Sequence, residues 1–141
     1  MIAYLDTSAV VPILVEEPTT TTCRRIWLDA DRLVTTRLTY VEVAAALAMA
    51  GRRGRVTARE HDHAWTNFLE LWTAIDVVDV NAEIITSAAT LARPYSLRGY
   101  DAVHCATAIA VNDVEMVAAA GDRQMLDAWR EQGLAVVDTA S

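Results

Sequence analysis

The stretch Ile2-Ala3-Tyr4-Leu5-Asp6-Thr7-Ser8 contains a strand and the start of a helix within seven residues. Its first four residues form a short apolar run of strand type. Asp, Thr and Ser, which follow, are favoured helix N-cap residues. Because residues 9–15 are again apolar, the opening of the chain predicts a strand followed directly by a helix.

This alternation continues to the end of the chain. Short apolar runs predict strands at residues 2–5, 32–36, 76–80, 115–119 and 134–137. Apolar periodicity and N-cap, Gly or Pro signals predict helices at residues 9–15, 18–28, 39–49, 57–74, 82–93, 100–111 and 122–131. Apolar strands separated by helices are typical of parallel sheets. The sequence therefore predicts an α/β fold, a three-layer sandwich with a mostly parallel central sheet and helices on both faces.

Length and composition predict one globular domain over residues 1–141. Apolar residues make up 53% of the chain and charged residues 22%. No apolar stretch approaches the ~20 residues that cross a bilayer, and Asp6 interrupts the first apolar run, so we expect a cytoplasmic protein without a secretory signal. Cys23 and Cys105 fit no zinc or redox spacing, and we expect both as reduced core thiols.

The charged residues exclude several classes of enzyme. All 12 basic residues are Arg, and the formal net charge is −7. A chain without lysine forms no Schiff base and has no P-loop lysine. Haloacid-dehalogenase-type phosphatases and receiver domains both need a lysine, and the phosphatases also need an Asp where this chain has Ser8. A chain this acidic has no general basic surface for nucleic acid, so RNA would be bound by local arginines or carboxylate-held metal ions.

Four carboxylates lie near predicted helix starts: Asp6, Glu42, Asp101 and Asp122. Taken singly, each has an ordinary structural explanation. Asp6 and Asp122 suit N-caps, Asp101 suits the first turn of a helix, and the pattern Thr39-x-x-Glu42 fits a capping box.

Taken together, the four acids favour a functional site. Helices that follow parallel strands begin at one edge of the sheet, where ligands bind. Carboxylates gathered there repel one another unless a cation is present. Hard cations such as Mg²⁺ or Mn²⁺ prefer oxygen ligands, and Mg²⁺ commonly shares its ligand shell with a substrate phosphate. Such a cup of acids suits phosphodiester hydrolysis.

Three segments carry a resemblance to a known family. They are Ile2-Ala3-Tyr4-Leu5-Asp6-Thr7-Ser8-Ala9, Leu38-Thr39-Tyr40-Val41-Glu42-Val43 and Tyr100-Asp101-Ala102-Val103-His104-Cys105-Ala106-Thr107-Ala108. In order and separation they resemble a PIN domain of the VapC toxin type, over essentially the whole chain. One departure is Ala120, two residues before the last acid, where the family often has Thr or Ser.

The resemblance implies a metal-dependent ribonuclease, the toxin of a type II toxin–antitoxin pair. The acids that match the family's site are Asp6, Glu42, Asp101 and Asp122, as catalytic and metal-binding residues for Mg²⁺, with Mn²⁺ as a substitute. The implied partners are RNA, a second copy of the chain, and a VapB-like antitoxin. Arginine is the side chain best suited to block such acids, so we expect the antitoxin to insert one. The alternative is a catalytically inactive PIN-like protein-interaction module.

Other polar residues have weaker claims on the site. His104 lies three residues after Asp101 on the same helical face, but a hydrogen-bonded structural role is favoured. Thr7 and Ser8 are expected to cap the first helix, with support of a site acid as the alternative. Arg37 and Arg98 precede site acids and suit phosphate binding, although solvated loop arginines are the simpler interpretation.

Overall fold

A computed structural model describes residues 1–141 as five strands and seven helices around one sheet. The strands are β1 (Ile2–Leu5), β2 (Arg32–Thr36), β3 (Asp76–Val78), β4 (Met116–Ala120) and β5 (Ala135–Asp138). The helices are α1 (Val11–Leu14), α2 (Thr20–Asp29), α3 (Leu38–Arg52), α4 (Ala58–Trp72), α5 (Ala82–Ala92), α6 (Gly99–Ala110) and α7 (Arg123–Glu131). A 3₁₀ turn, Thr7–Ala9, joins β1 to α1.

All strand pairs in the sheet are parallel, in the order β3-β2-β1-β4-β5. The central strand is β1, and its Tyr4 lies opposite Val34 of β2 on one side and Ala118 of β4 on the other. The strand order reverses between β1 and β4, since β2 and β3 extend from one side of β1 while β4 and β5 extend from the other. Ligands of open parallel sheets bind outside the carboxyl ends of the strands at such a switch point.

Two apolar cores, one on each face of the sheet, explain why the strands are apolar on both sides. Alternation along β1 sends Tyr4 to one core and Ala3 and Leu5 to the other. The Tyr4 core is closed by α5, α6 and α7, and the opposite core by α1 to α4. The observed fold is thus the predicted three-layer α/β sandwich, with every strand pair parallel.

The largest error of the sequence prediction concerns the first helix. Residues 9–15 form only the end of the 3₁₀ turn and the four residues of α1. The reason is Pro12, which lacks an N–H and is tolerated only in the first turn, so α1 begins one residue before it. Similarly, α2 begins at Thr20 instead of residue 18, and β3 ends at Val78 instead of residue 80. The remaining elements differ from the prediction by three residues or fewer at each end.

The predicted aromatic face of residues 57–74 is core only in part. Phe68 is fully buried, Trp65 and Trp72 are partly buried, and Leu69 is 40% exposed. Tyr40 of α3 packs edge-on against both tryptophans at ring-centroid distances of 5.4 and 5.5 Å. The expected burial of both cysteine thiols is confirmed. No helix combines the length and apolar character needed to span a bilayer.

Candidate active site

The four acids reach the carboxyl edge of the sheet on four different elements. Asp6 follows β1 directly, and its backbone N–H donates to the Ala119 carbonyl of β4. Glu42 lies in the second turn of α3, which follows β2, and Asp101 lies in the first turn of α6. Asp122 is the N-cap of α7, two residues after β4. The switch point between β1 and β4 therefore has Asp6 and Asp122 on its two sides.

Asp6 is buried and held by Ser8. The Ser8 hydroxyl donates to Asp6 Oδ2 at 2.5 Å, and the Ser8 N–H donates to the same oxygen at 3.2 Å. The Ser8 hydroxyl also accepts the Gly121 N–H at 3.0 Å. Asp6, rather than Thr7 or Ser8, therefore caps the first turn, which corrects the predicted capping role. Ser8 instead links Asp6 to the loop that leads to Asp122.

Glu42 is bound by two side chains from other elements. Its Oε1 atom accepts a hydrogen bond from the Thr7 hydroxyl at 2.7 Å and lies 2.7 Å from His104 Nε2. The capping box with Thr39 does not form, because α3 begins at Leu38 and the Thr39 hydroxyl contacts that of Thr35. The Glu42 side chain is 18% exposed, so it is accessible from the edge of the sheet.

His104 is the centre of this arrangement and is fully buried. Its Nδ1 atom lies 3.0 Å from the Tyr4 hydroxyl and 3.5 Å from Asp6 Oδ1. Its Nε2 atom lies 3.2 Å from the Thr7 hydroxyl. The expected hydrogen-bonded structural histidine is observed, but its partners include two of the four acids.

The pKa values of His104 and Glu42 shift in opposite directions. Burial lowers the pKa of His104, but the nearby carboxylates, above all Asp6 and Glu42, outweigh burial and raise it. Burial raises the pKa of Glu42, but the hydrogen bond and charge of His104 outweigh burial and lower it. Both shifts favour the charged forms, so these side chains tend toward an ion pair.

Asp101 has a raised pKa because it is partly buried and lies near other acids. Burial is the largest cause, and the charges of Asp6 and Asp122 add to it. Arg98 opposes the rise by donating from Nε to Asp101 Oδ2 at 3.2 Å, but its side chain is 87% exposed. The Arg98 pair therefore lies in water, where ion pairs contribute little. The charges of two acids from other elements, Asp6 and Asp122, therefore disfavour the ionised form of Asp101.

Asp122 combines a structural contact with a place at this edge. Its Oδ1 atom accepts the Gln124 N–H at 2.8 Å and the Met125 N–H at 3.4 Å, as an N-cap does. Its charge nevertheless contributes to the raised pKa of Asp101. Ala120 is fully buried in the core, and Ser8 supplies the hydroxyl that contacts the loop before Asp122.

The donor set fits a hard divalent cation. No three His, Cys, Asp or Glu side chains are already grouped as a metal site. However, the carboxylates of Asp6, Asp101 and Asp122 share one edge, and the pKa of Asp101 is raised although Arg98 opposes the rise. Carboxylate oxygens of this kind bind Mg²⁺ or Mn²⁺, and a bound cation would remove the repulsion.

Sequence reasoning missed Tyr4 and underestimated Thr7. The sequence predicts only that Tyr4 lies in a strand. Its contact with His104 is not predictable in this way, because it depends on which face of β1 packs against α6. The available sequence signal concerns their partner His104: the spacing Asp101-x-x-His104 places two polar groups on one face of an apolar helix and so indicates polar contacts there. Arg37 pairs with Asp79 at 2.8 Å, whereas Arg98 reaches a site acid.

Comparisons with known proteins give consistent results. A family model described as PIN domain matches residues 3–128. The chain is 38% identical over 124 residues to Ribonuclease VapC45 and Ribonuclease VapC49 from two strains of Mycobacterium tuberculosis, covering 88% of this chain and 86% of each relative.

Solved structures share the fold at lower sequence identity. VapC20 of Mycobacterium tuberculosis, described as a sarcin–ricin loop cleaving toxin, has a TM-score of 0.71 and 20% identity, covering 96% of this chain and 98% of that one. A toxin–antitoxin complex from Klebsiella pneumoniae has a TM-score of 0.66 and 15% identity, covering 97% of both chains.

Proposed function

Because the chain belongs to the VapC family of PIN-domain proteins, we propose that it is a metal-dependent endoribonuclease and the toxin of a type II toxin–antitoxin pair. The relatives at 38% identity are named ribonucleases, and one structural neighbour is a toxin–antitoxin complex. The observation that carries the proposal is the position of Asp6 and Asp122 on the two sides of the switch point of the sheet, where the charges of both raise the pKa of Asp101.

In this proposal the acids hold Mg²⁺ or Mn²⁺ and the substrate phosphate approaches from solvent. Asp6 and Asp101 bind the cation, while Glu42 and Asp122 complete the cup directly or through water. When bound, the cation lowers the pKa of a water molecule and offsets charge on the attacked phosphate. In this proposal the exposed Arg98, which pairs with Asp101, contacts an RNA phosphate near the cation.

The proposed antitoxin blocks the same edge with an arginine. Guanidinium groups pair with carboxylates in a bidentate geometry and stay charged at all relevant pH values. The net charge of −7 favours the approach of a basic partner. We also propose a homodimer within a toxin–antitoxin hetero-oligomer. Exposed apolar side chains on α3 and α4, among them Val41 and Leu69, support such an interface.

The deciding experiment measures hydrolysis of a mixed RNA pool by the purified chain in Mg²⁺, Mn²⁺ or EDTA. We expect cleavage in either metal and none in EDTA. Asp6→Asn and Asp101→Asn should each abolish cleavage without unfolding the protein, because asparagine removes the charge but nearly matches aspartate in size and so opens no cavity.

A matched control is Asp127→Asn, since Asp127 is exposed and pairs only with Arg130. This variant should cleave RNA like the parent. A parent chain that cleaves no RNA in either metal, and whose expression alone is harmless to cells, would instead be a protein-interaction module.

A further inference from the structure

A chain of polar contacts runs from the buried core to Glu42. Tyr4 and His104 are both fully buried, and the Tyr4 hydroxyl lies 3.0 Å from His104 Nδ1. His104 Nε2 lies 2.7 Å from Glu42 Oε1. The three residues come from β1, α6 and α3, so the contacts join the strand that leads to Asp6 with the helices that carry Asp101 and Glu42.

The ring of His104 has little freedom to move. Tyr4 packs edge-on against His104 at a ring-centroid distance of 6.1 Å and against Trp129 at 5.9 Å. Trp129 is fully buried as well. Buried side chains sit in rotamer minima against their neighbours, so the core holds the ring and its Nε2 atom in place.

Nε2 donates a hydrogen bond to Glu42 whether the ring of His104 is neutral or charged. When the Tyr4 hydroxyl donates to Nδ1, the neutral ring carries its proton on Nε2 and donates it to Glu42. In the imidazolium form both nitrogens are donors, and Nε2 again donates to Glu42. His104 therefore holds Glu42 in either state.

Both donors to Glu42 contact the same oxygen. His104 Nε2 and the Thr7 hydroxyl lie 2.7 Å from Oε1, whereas no hydrogen bond reaches Oε2. A carboxylate held at one oxygen presents the other in a defined direction. Such outer contacts orient metal ligands, and their removal typically weakens metal binding about 10–100-fold.

We propose that His104, held in place by Tyr4, is a positioning residue that fixes Glu42 and directs its Oε2 atom toward the cation site. The inference rests on the proposed function, since it assumes that a divalent cation binds at this edge. Thr7, in the 3₁₀ turn that Asp6 caps, provides the second hydrogen bond that holds Glu42.

The test is calorimetric titration of Mn²⁺ into the metal-free protein, with RNA cleavage measured in parallel. His104→Leu removes the polar contacts of the ring, including the one to Glu42, and should weaken Mn²⁺ binding about 10–100-fold. His104→Gln retains an amide donor and should bind Mn²⁺ more tightly than the Leu variant. Equal losses in the Gln and Leu variants would show that packing rather than the donor matters, and would overturn the proposal.

Two milder variants decide the question if the His104 variants do not fold. Tyr4→Phe removes the hydroxyl that holds the ring, and Thr7→Val removes the other donor to Glu42. Each should weaken Mn²⁺ binding, whereas Tyr95→Phe should not. Tyr95 serves as the matched control because its hydroxyl bonds only to Gln132, outside the site.

The outcomes separate this inference from the function on which it rests. If the parent chain neither binds Mn²⁺ nor cleaves RNA, the proposed function is wrong. If the parent does both, and folded His104→Leu or the pair Tyr4→Phe and Thr7→Val match it in Mn²⁺ affinity, only the positioning role is wrong.

Discussion

At the scale of single residues, the four acids differ in how the protein compensates their charge. Glu42 has His104 and Thr7 as hydrogen-bond partners, and its pKa is lowered. Asp101 has only the exposed Arg98, and its pKa is raised. Of these two acids, Asp101 is therefore less supported by the protein and gains more from an added cation.

Asp101→Asn should stabilise the metal-free protein. A carboxyl whose folded pKa is raised opposes folding when ionised, and this penalty is present at neutral pH above the folded pKa. In EDTA at pH 7 we expect the variant to melt above the parent, and below pH 3.8, the ordinary value, the difference should vanish. Thermal melts followed by circular dichroism measure this, and a variant that melts below the parent would contradict it.

The pair of His104 and Glu42 should make stability depend on pH in two directions. The raised pKa of His104 adds stability that is complete below 6.5 and lost as pH rises through the folded value. The lowered pKa of Glu42 adds stability that is complete above 4.5 and lost as pH falls through the folded value.

Urea unfolding of the parent and His104→Leu should therefore differ most between pH 4.5 and 6.5. Hydrogen bonds to charged groups are worth about 1.5–3 kcal/mol, which sets the expected loss in this window. A difference that stays constant from pH 4 to 9 would mean that the two groups do not form the ion pair.

At the scale of elements, helix starts at the edge of the sheet combine capping with charge. Asp6 caps the 3₁₀ turn and Asp122 caps α7, although both lie at the acidic edge. Away from the edge, α4 has an ordinary capping box formed by Thr57 and Glu60. The effect of changing a cap at the acidic edge can therefore be compared with that of changing a cap away from it.

Asp122→Asn should separate the two roles of this residue. Asparagine caps helices about as well as aspartate, so the stability of α7 should be kept while the charge is lost. We expect unfolding stability near that of the parent but a smaller melting-temperature increase with Mg²⁺. Thr57→Ala is the matched control, which should lose about 1 kcal/mol of stability while its response to Mg²⁺ stays intact. An unchanged Mg²⁺ response in Asp122→Asn would remove Asp122 from the cation site.

At the scale of the whole molecule, the sheet determines where charge accumulates. The chain carries 19 acidic and 12 basic residues, and the order β3-β2-β1-β4-β5 places the ends of β1 and β4 side by side. Asp6 and Asp122 are far apart in the sequence, but they follow the adjacent strands β1 and β4 and therefore lie on the two sides of the switch point. A cation that binds only this folded arrangement must stabilise the whole domain.

Mg²⁺ or Mn²⁺ should therefore raise the melting temperature of the parent. A cation at 100 times its Kd adds about 2.7 kcal/mol to the free energy of unfolding. The fourfold variant with Asn at 6, 101 and 122 and Gln at 42 should lose this response, because none of the four carboxylates remains to bind the cation. Equal responses of parent and variant to either ion would show that the four acids form no common site.

The sequence by itself determined the alternation of strands and helices and the position of each acid near a helix start. These features are local, because apolar periodicity, N-cap residues and Pro or Gly act within a few positions. Even the misplaced first helix has a local cause in Pro12. The PIN-type motif around Asp101 was likewise visible without coordinates.

Only the tertiary structure decided which acid has which partner. The sequence spacing of Thr39 and Glu42 predicts a capping box, yet Glu42 binds His104, which lies 62 positions away. His104 in turn is held by Tyr4 from a distance of 100 positions. Such contacts depend on the strand order and on which face of β1 packs against α6, and neither is encoded in a short window of sequence. The compensation of each charge therefore follows from packing, because burial and neighbouring charges act through space.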